Sequence, residues 1–197
     1  MLCDTPSVLY ALARIGDPTD PALRKSARHL AGLAFDRGWP CAVSPGLGRF
    51  RGPGRKTDPC PYATLISLKA LSQFPEWRDE DVCLTACRAL LGLWEDRRQR
   101  RPYMFAMGTD FAKLKAPLVW YDMARVVDAL SRFPSMRSDN RFLEMVNLVA
   151  GKADEEGRFR ADSIWRAWSD WEFGQKTRPS FWLTLSLHRA LQRIEIQ

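Results

Sequence analysis

Histidine is scarce in this sequence, and closely spaced metal-binding residues are missing. The 197 residues include only two histidines, His29 and His188, and the five cysteines form no CxxC motif. Zinc sites usually combine cysteine and histidine at short, regular spacings, so the sequence carries no clear metal-site signature. The odd, irregularly spaced cysteines also argue against a disulfide framework. We expect free thiols and no bound metal or other cofactor.

Long hydrophobic runs are also absent. No stretch approaches the roughly 18 consecutive apolar residues of a membrane-spanning helix. The first residues, MLCDTPS, carry Asp4 and lack the basic start of a signal peptide. We therefore expect no transmembrane segment and a cytoplasmic location. The 46% hydrophobic content predicts an ordered core, here for one domain over residues 1–197.

Negative charge is in deficit, with a formal net charge of +7. The densest basic run is RRQRR, Arg97–Arg101. Such a run can attract nucleic acid or an anionic membrane, but it can also complement the negative end of a helix dipole. No nucleic-acid motif accompanies the charge, so we expect no nucleic-acid partner.

What the sequence does contain is one helical segment in four copies. The copies are TPSVLYALARIG, TLISLKALSQFP, MARVVDALSRFP and TLSLHRALQRI, spaced by about 60 residues. Within each copy the apolar residues recur three and four apart, which is typical of a helix. An alanine occupies the same position in every copy: Ala11, Ala70, Ala129 and Ala190.

A second helix follows each of the first three copies. Ala27–Arg37 matches Cys87–Arg97, and the third, looser copy lies within Asp139–Phe159. A single helical hairpin cannot bury its apolar face alone, so stacked hairpins with a continuous core are expected. The sequence thus predicts an all-α fold of about seven main helices in two layers. The first layer is expected near residues 5–15, 61–74, 117–133 and 179–194, and the second near 20–34, 79–95 and 139–152.

The repeat resembles a known family. Together with DRGWPC (Asp36–Cys41), DEEGRF (Asp154–Phe159) and the segment Phe173–Leu191, it is similar to the α/α-toroids of terpene (squalene-hopene type) cyclases and protein prenyltransferase β-subunits. It is most similar to uncharacterised bacterial proteins with prenyltransferase/squalene-oxidase repeats. The resemblance covers nearly the whole chain and implies a partial α/α-toroid. A closed toroid has more hairpins, so we expect either self-association or further N-terminal repeats in a larger toroid.

Two functional motifs of the family are incomplete here. The cyclase acid motif would fall at DVCLTA, Asp81–Ala86, but Cys83 and Leu84 stand where carboxylates are needed, and the stretch opens a second-layer helix. Asp58, Cys60 and His188 resemble the ligand set of the prenyltransferase zinc site, but Pro59 restricts the backbone between the first two. We therefore expect neither cyclase chemistry nor a bound metal. If a metal is bound, Asp58, Cys60 and His188 are its candidate ligands.

Aromatic residues cluster at the predicted starts of the first-layer helices. Apolar walls with a few polar groups are typical of a ligand pocket, although the same residues can simply form the core of the repeat. Asp122 is the candidate catalytic residue, or alternatively the cap of its own helix. The candidate ligand-binding residues are Tyr62, Trp120, Tyr121, Asp122, Phe181 and Trp182.

These observations predict a toroid module that binds an apolar, isoprenoid-like ligand or a protein partner without classical cyclase chemistry. The alternative is an enzyme. It would be either a prenyl-diphosphate-using transferase or a toroid carbohydrate-active enzyme with Asp122 among its acids.

Overall fold

The computed structural model describes residues 3–41, 58–99 and 105–195, which form seven α-helices and one small sheet. The predicted all-α class with about seven helices is therefore confirmed. The parallel strands β1 (Lys115–Ala116) and β2 (Ser163–Ile164) make up the sheet. The helices are α1 (Asp4–Ile15), α2 (Pro21–Gly32), α3 (Pro61–Leu71), α4 (Asp81–Glu95), α5 (Met123–Leu130), α6 (Asn140–Ala150) and α7 (Phe181–Glu195). None of them has the length and apolar character needed to cross a membrane.

The helices pack in the order of the repeats. Helix α1 packs against α3, α3 against α5, and α5 against α7, and these four form the first layer. Helices α2, α4 and α6 pack behind α1, α3 and α5, and α4 also contacts α6. A short 3-10 turn lies between the two helices of the second hairpin (Pro75–Trp77, between α3 and α4) and of the third (Pro134–Met136, between α5 and α6). The toroid arrangement itself stays a prediction.

Burial changes along the first layer. Helix α5 is buried along its whole length, because it has neighbours on every side. Helix α1 buries only Pro6, Leu9 and Ala13, and α7 only Leu183, Leu187 and Ala190. On α1, the side chains of Val8, Leu12 and Ile15 are exposed, whereas Leu71 and Phe74, which occupy the positions of Leu12 and Ile15 in the next repeat, are buried. The face of α1 that points away from α3 is therefore an exposed apolar edge.

The third first-layer helix is shorter than predicted. The sequence predicts a helix over residues 117–133, but α5 begins at Met123 and ends at Leu130. Residues 115–116 pair with residues 163–164 as a strand, residues 117–120 then form bends and turns instead of helix, and the backbone of Asp122 is extended. The cap at Asp122 thus marks where α5 begins.

Candidate functional site

The four first-layer helices surround one pocket of about 310 Å³. Six of its lining residues are basic, and one is acidic. Apolar contributions come from Tyr10, Leu118, Trp182 and Leu185. The charged lining residues are Arg14, Lys69, Arg125, Asp128, Arg132, Arg189 and Arg193.

The repeat explains why these side chains meet. The residue before the shared alanine is Tyr10, Lys69, Asp128 or Arg189, and all four line the pocket. The residue three positions after the alanine is Arg14, Arg132 or Arg193 in three of the copies. These two positions are four residues apart and therefore lie on the same face of a helix. The basic residue in LKAL and HRAL was the sequence signal for this pocket, but it was not used in the sequence-based predictions.

Asp128 connects three first-layer helices. Its Oδ2 lies 2.9 Å from Lys69 Nζ on α3, and its Oδ1 lies 3.0 Å from Arg132 Nη2 and 3.1 Å from Arg193 Nη1 on α7. Burial alone would raise the pKa of Asp128, but Lys69, Arg132 and Arg125 together hold that pKa far below its usual range. The carboxylate is therefore ionised, yet it offsets only part of the positive charge in the pocket.

Arg125 is a buried guanidinium with unused donors. The residue is only 6% exposed, and its Nε and Nη2 atoms have no hydrogen-bond partner. The nearest carboxylate oxygen, Asp122 Oδ1, is 3.8 Å from Nε, which is too far for a hydrogen bond. Buried charged donors are normally paired, because leaving them unsatisfied is costly. Arg125 also lines the pocket, so its positive charge can attract an anion there.

A smaller apolar recess of about 40 Å³ adjoins the pocket. Lys69, Leu118 and Arg125 line both spaces. The remaining lining residues of the recess carry no charge: Tyr62, Leu65, Ile66, Val119 and Trp120. Cationic and apolar surfaces thus meet at Arg125.

The candidate aromatic residues occupy three different environments. Tyr62 and Trp120 line the recess, and Trp182 lines the pocket. Tyr121 is buried against the rings of Phe105 and Phe111, and burial raises the pKa of its hydroxyl far above the usual range. Phe181, at the start of α7, is 81% exposed. The structure therefore brings three of these five side chains to the two spaces, and their role in binding stays a prediction.

Asp122 caps its own helix. Its Oδ1 accepts a hydrogen bond of 2.8 Å from the backbone N–H of Arg125, and its Oδ2 is buried without a partner. Burial raises the pKa of the carboxyl to about 6, against the opposing effect of Arg125. The capping alternative is thus confirmed. Asp122 lines neither the pocket nor the recess, and a catalytic role for it stays a prediction.

Two of the three candidate metal ligands, Cys60 and His188, make hydrogen bonds to the backbone. Cys60 Sγ accepts a long hydrogen bond, 3.5 Å, from Ala63 N at the start of α3, and burial raises the pKa of its thiol to about 11. His188 Nε2 lies 2.7 Å from Gly157 O. Across the three described ranges, no three His, Cys, Asp or Glu side chains are grouped so that they could hold a metal ion. Asp58, Cys60 and His188 are therefore not assembled into a site.

The structure also describes the DVCLTA stretch and part of the basic run RRQRR. Asp81 is exposed at the first turn of α4, so the DVCLTA stretch does open a second-layer helix. Arg97 binds the carbonyl of Trp94 at 2.8 Å and Glu144 Oε1 at 3.2 Å, which is the helix-end role considered for the basic run. Arg100 and Arg101 lie outside the described residues.

Comparison of the chain with protein-family models, with curated proteins and with solved structures returned no significant match. The family resemblance of the sequence therefore stays a prediction.

Proposed function

We propose that the chain is an α/α-toroid module of the squalene cyclase/prenyltransferase repeat type that binds an amphipathic anionic ligand. The acidic head of the ligand lies in the basic pocket, and its apolar, isoprenoid-like body contacts the aromatic walls and the adjoining recess. The observation that carries this proposal is the lining of the pocket, which has six basic side chains and one acidic one and shares Lys69 and Arg125 with the apolar recess.

Charge balance supports an acidic head group. The six basic side chains around Asp128 repel one another, and a phosphate or carboxylate between them relieves this repulsion. Hydrogen bonds between a guanidinium and an anionic oxygen are also about twice as strong as neutral ones. The pocket therefore favours an anion over a neutral ligand.

Binding without cyclase chemistry is supported by the position of the incomplete acid motif. Asp81 lies on α4 in the second layer, away from the pocket lining, and Cys83 is buried. A cytoplasmic location is part of the same proposal, and all five cysteines are free, as is usual in a reducing compartment.

Titration calorimetry with farnesyl diphosphate, farnesol and inorganic diphosphate tests the proposal. We expect farnesyl diphosphate to bind at least about tenfold more tightly than either of the other two, because only it uses both surfaces. Mass spectrometry should recover the probe unchanged, whereas conversion would support the transferase alternative. Equal binding of farnesol and farnesyl diphosphate, or binding of none of the three probes, would overturn the proposal.

Three variants refine the test. Arg125→Met should weaken farnesyl diphosphate binding about tenfold or more. Arg189→Met removes an exposed charge from the same pocket. It tests the effect of pocket charge on binding without altering a buried residue. Arg88→Met, on the exposed side of α4, is the matched control and should bind as the wild type does.

A further inference from the structure

The central helices of the first layer are buried on two faces that the repeat defines. The front face comprises the positions three before, at, one after and four after the shared alanine. The back face comprises the positions five before, two before and two after it. Spacings of three and four place each set on one side of a helix. In α3 and the turn that follows it, both faces are buried: Ser67, Ala70, Leu71 and Phe74 on the front, and Leu65, Leu68 and Ser72 on the back.

The two outer helices of the layer each bury only one of these faces. Helix α1 buries its back face, which consists of Pro6, Leu9 and Ala13. Its front face is exposed at Val8, Ala11, Leu12 and Ile15. Helix α7 shows the reverse pattern: Leu187 and Ala190 of the front face are buried, whereas Leu185, His188 and Gln192 of the back face are exposed. The face that α1 exposes is thus the face that α7 buries.

The packing order explains this division. Helix α3 lies between α1 and α5, and α5 lies between α3 and α7. Helix α1 packs against the following helices, α2 and α3, and buries its back face, whereas α7 packs against the preceding helix α5 and buries its front face. The front face therefore contacts the preceding first-layer helix, and the back face contacts the following helices. The exposed faces of α1 and α7 are the two halves of one repeated contact.

We propose that a second copy of this chain packs the front face of its α1 on the back face of α7, so that the first-layer array continues from one copy into the next. A second copy fits because its Leu12 and Ile15 stand where α3 and α5 present Leu71 with Phe74 and Leu130 with Phe133, all of which are buried. The contact joins two different surfaces, so it closes into a ring or extends into a chain of copies. This inference does not rest on the proposed function.

The strength of the contact follows from its composition. His188 and Gln192 of α7 stand where α3 has Leu68 and Ser72, so the back face of α7 is more polar than that of α3. Each copy also carries a net charge of +7, and two copies repel each other. We therefore expect the mass in solution to rise with protein concentration. At a fixed concentration it should also rise with added salt, because salt screens the repulsion.

Two complementary variants test the head-to-tail contact by light scattering. Leu12→Arg places a charge on the front face of α1, and Leu185→Arg places one on the back face of α7. Both leucines are exposed in the single chain, at 44% and 59%, so both variants should fold. A charge buried in an apolar contact is costly, and each variant alone should associate at least about tenfold more weakly than the wild type.

The equimolar mixture is the decisive sample. The first variant keeps its α7 face and the second keeps its α1 face, so the mixture should form pairs that contain one copy of each. Leu148→Arg, at an exposed leucine of α6, is the matched control and should associate as the wild type does.

Three results would overturn the inference. The first is a wild-type protein that stays monomeric at every concentration and salt level. The second is wild-type association of Leu185→Arg while Leu12→Arg is monomeric, which would show that α1 contacts the α1 of another copy. The third is a mixture of the two variants that remains monomeric at concentrations where the wild type associates.

Discussion

Lys69 and Asp128 occupy equivalent positions of successive repeats and form an ion pair in the wall of the pocket, with 2.9 Å between Nζ and Oδ2. The repeat places one side chain from each helix at this position, and opposite charges at two of the four copies make a bridge between α3 and α5. Arg193 then extends the bridge to α7 through Asp128 Oδ1. One carboxylate thus connects three of the four helices that surround the pocket.

Replacing Asp128 by asparagine should therefore destabilise the fold. Lys69, Arg132 and Arg193 would lose their common partner while remaining close to one another, and breaking a buried ion pair costs about 3 kcal/mol. The midpoint of urea unfolding at pH 7 measures the change. Asp110→Asn is the control, because that side chain is 68% exposed, pairs with Lys113 and Lys115, and should change the stability by less than about 1 kcal/mol. Equal losses in both variants would argue against the bridge.

The raised pKa of Asp122 predicts a pH dependence of stability. The carboxyl binds its proton more tightly in the folded protein, where its pKa is about 6, than in the unfolded chain, where it is 3.8. Its contribution therefore favours folding most below about pH 4 and is lost as the pH rises through 6, by up to about 3 kcal/mol. Asp128 has the opposite shift and contributes stability that is lost only on further acidification.

Asp122→Asn isolates this effect. Asparagine caps a helix as well as aspartate does but does not titrate. We expect the urea midpoint of the variant to change less between pH 4.5 and pH 7 than that of the wild type. The variant should also have a shifted urea midpoint at both pH values, because Arg125 loses its nearest carboxylate. The informative quantity is therefore the change in midpoint between pH 4.5 and pH 7. Parallel pH profiles would show that Asp122 is not the titrating group.

Zinc content is a direct test of the metal prediction. Cys60 is buried, with a thiol pKa of about 11, and a zinc ligand must be the thiolate. We expect elemental analysis of protein purified without chelator to find well under one zinc per chain. Stoichiometric zinc that disappears in Cys60→Ala would contradict this prediction and support the prenyltransferase alternative.

The exposed apolar edge of α1 predicts self-association. Val8, Leu12 and Ile15 form an apolar stripe of the kind that is buried in the central repeats, and exposed stripes of this kind commonly mark contact surfaces. Light scattering should show a mass that increases with concentration, and Leu12→Arg should shift the protein towards the monomer. Leu148→Arg, at an isolated exposed leucine of α6, is the control. A monomer at every concentration, without binding of an apolar dye, would contradict the prediction.

Much of the fold could be predicted from the sequence because the relevant signals are local. The apolar spacing within each copy and the interval between copies predict seven helices, and all seven are present. The cap at Asp139, which accepts a hydrogen bond from Arg141 N, agrees with the predicted start of α6. The start of α5 was predicted too early, because residues 117–120 form bends and turns and the helix begins only after the cap at Asp122.

The candidate site likewise combines features that the local sequence determines with features that depend on packing. The sequence by itself determined that Lys69 and Arg189 stand before the shared alanine in two copies and that aromatic residues lie near the starts of first-layer helices, since both follow from the order of residues within one repeat. Only the tertiary structure decided that the side chains at these positions line one pocket, that Asp122 is buried at the start of α5, and that Nε and Nη2 of Arg125 are buried without hydrogen-bond partners. The physical reason is that burial and pairing depend on which face each neighbouring helix covers, and that is set by packing between repeats about 60 residues apart.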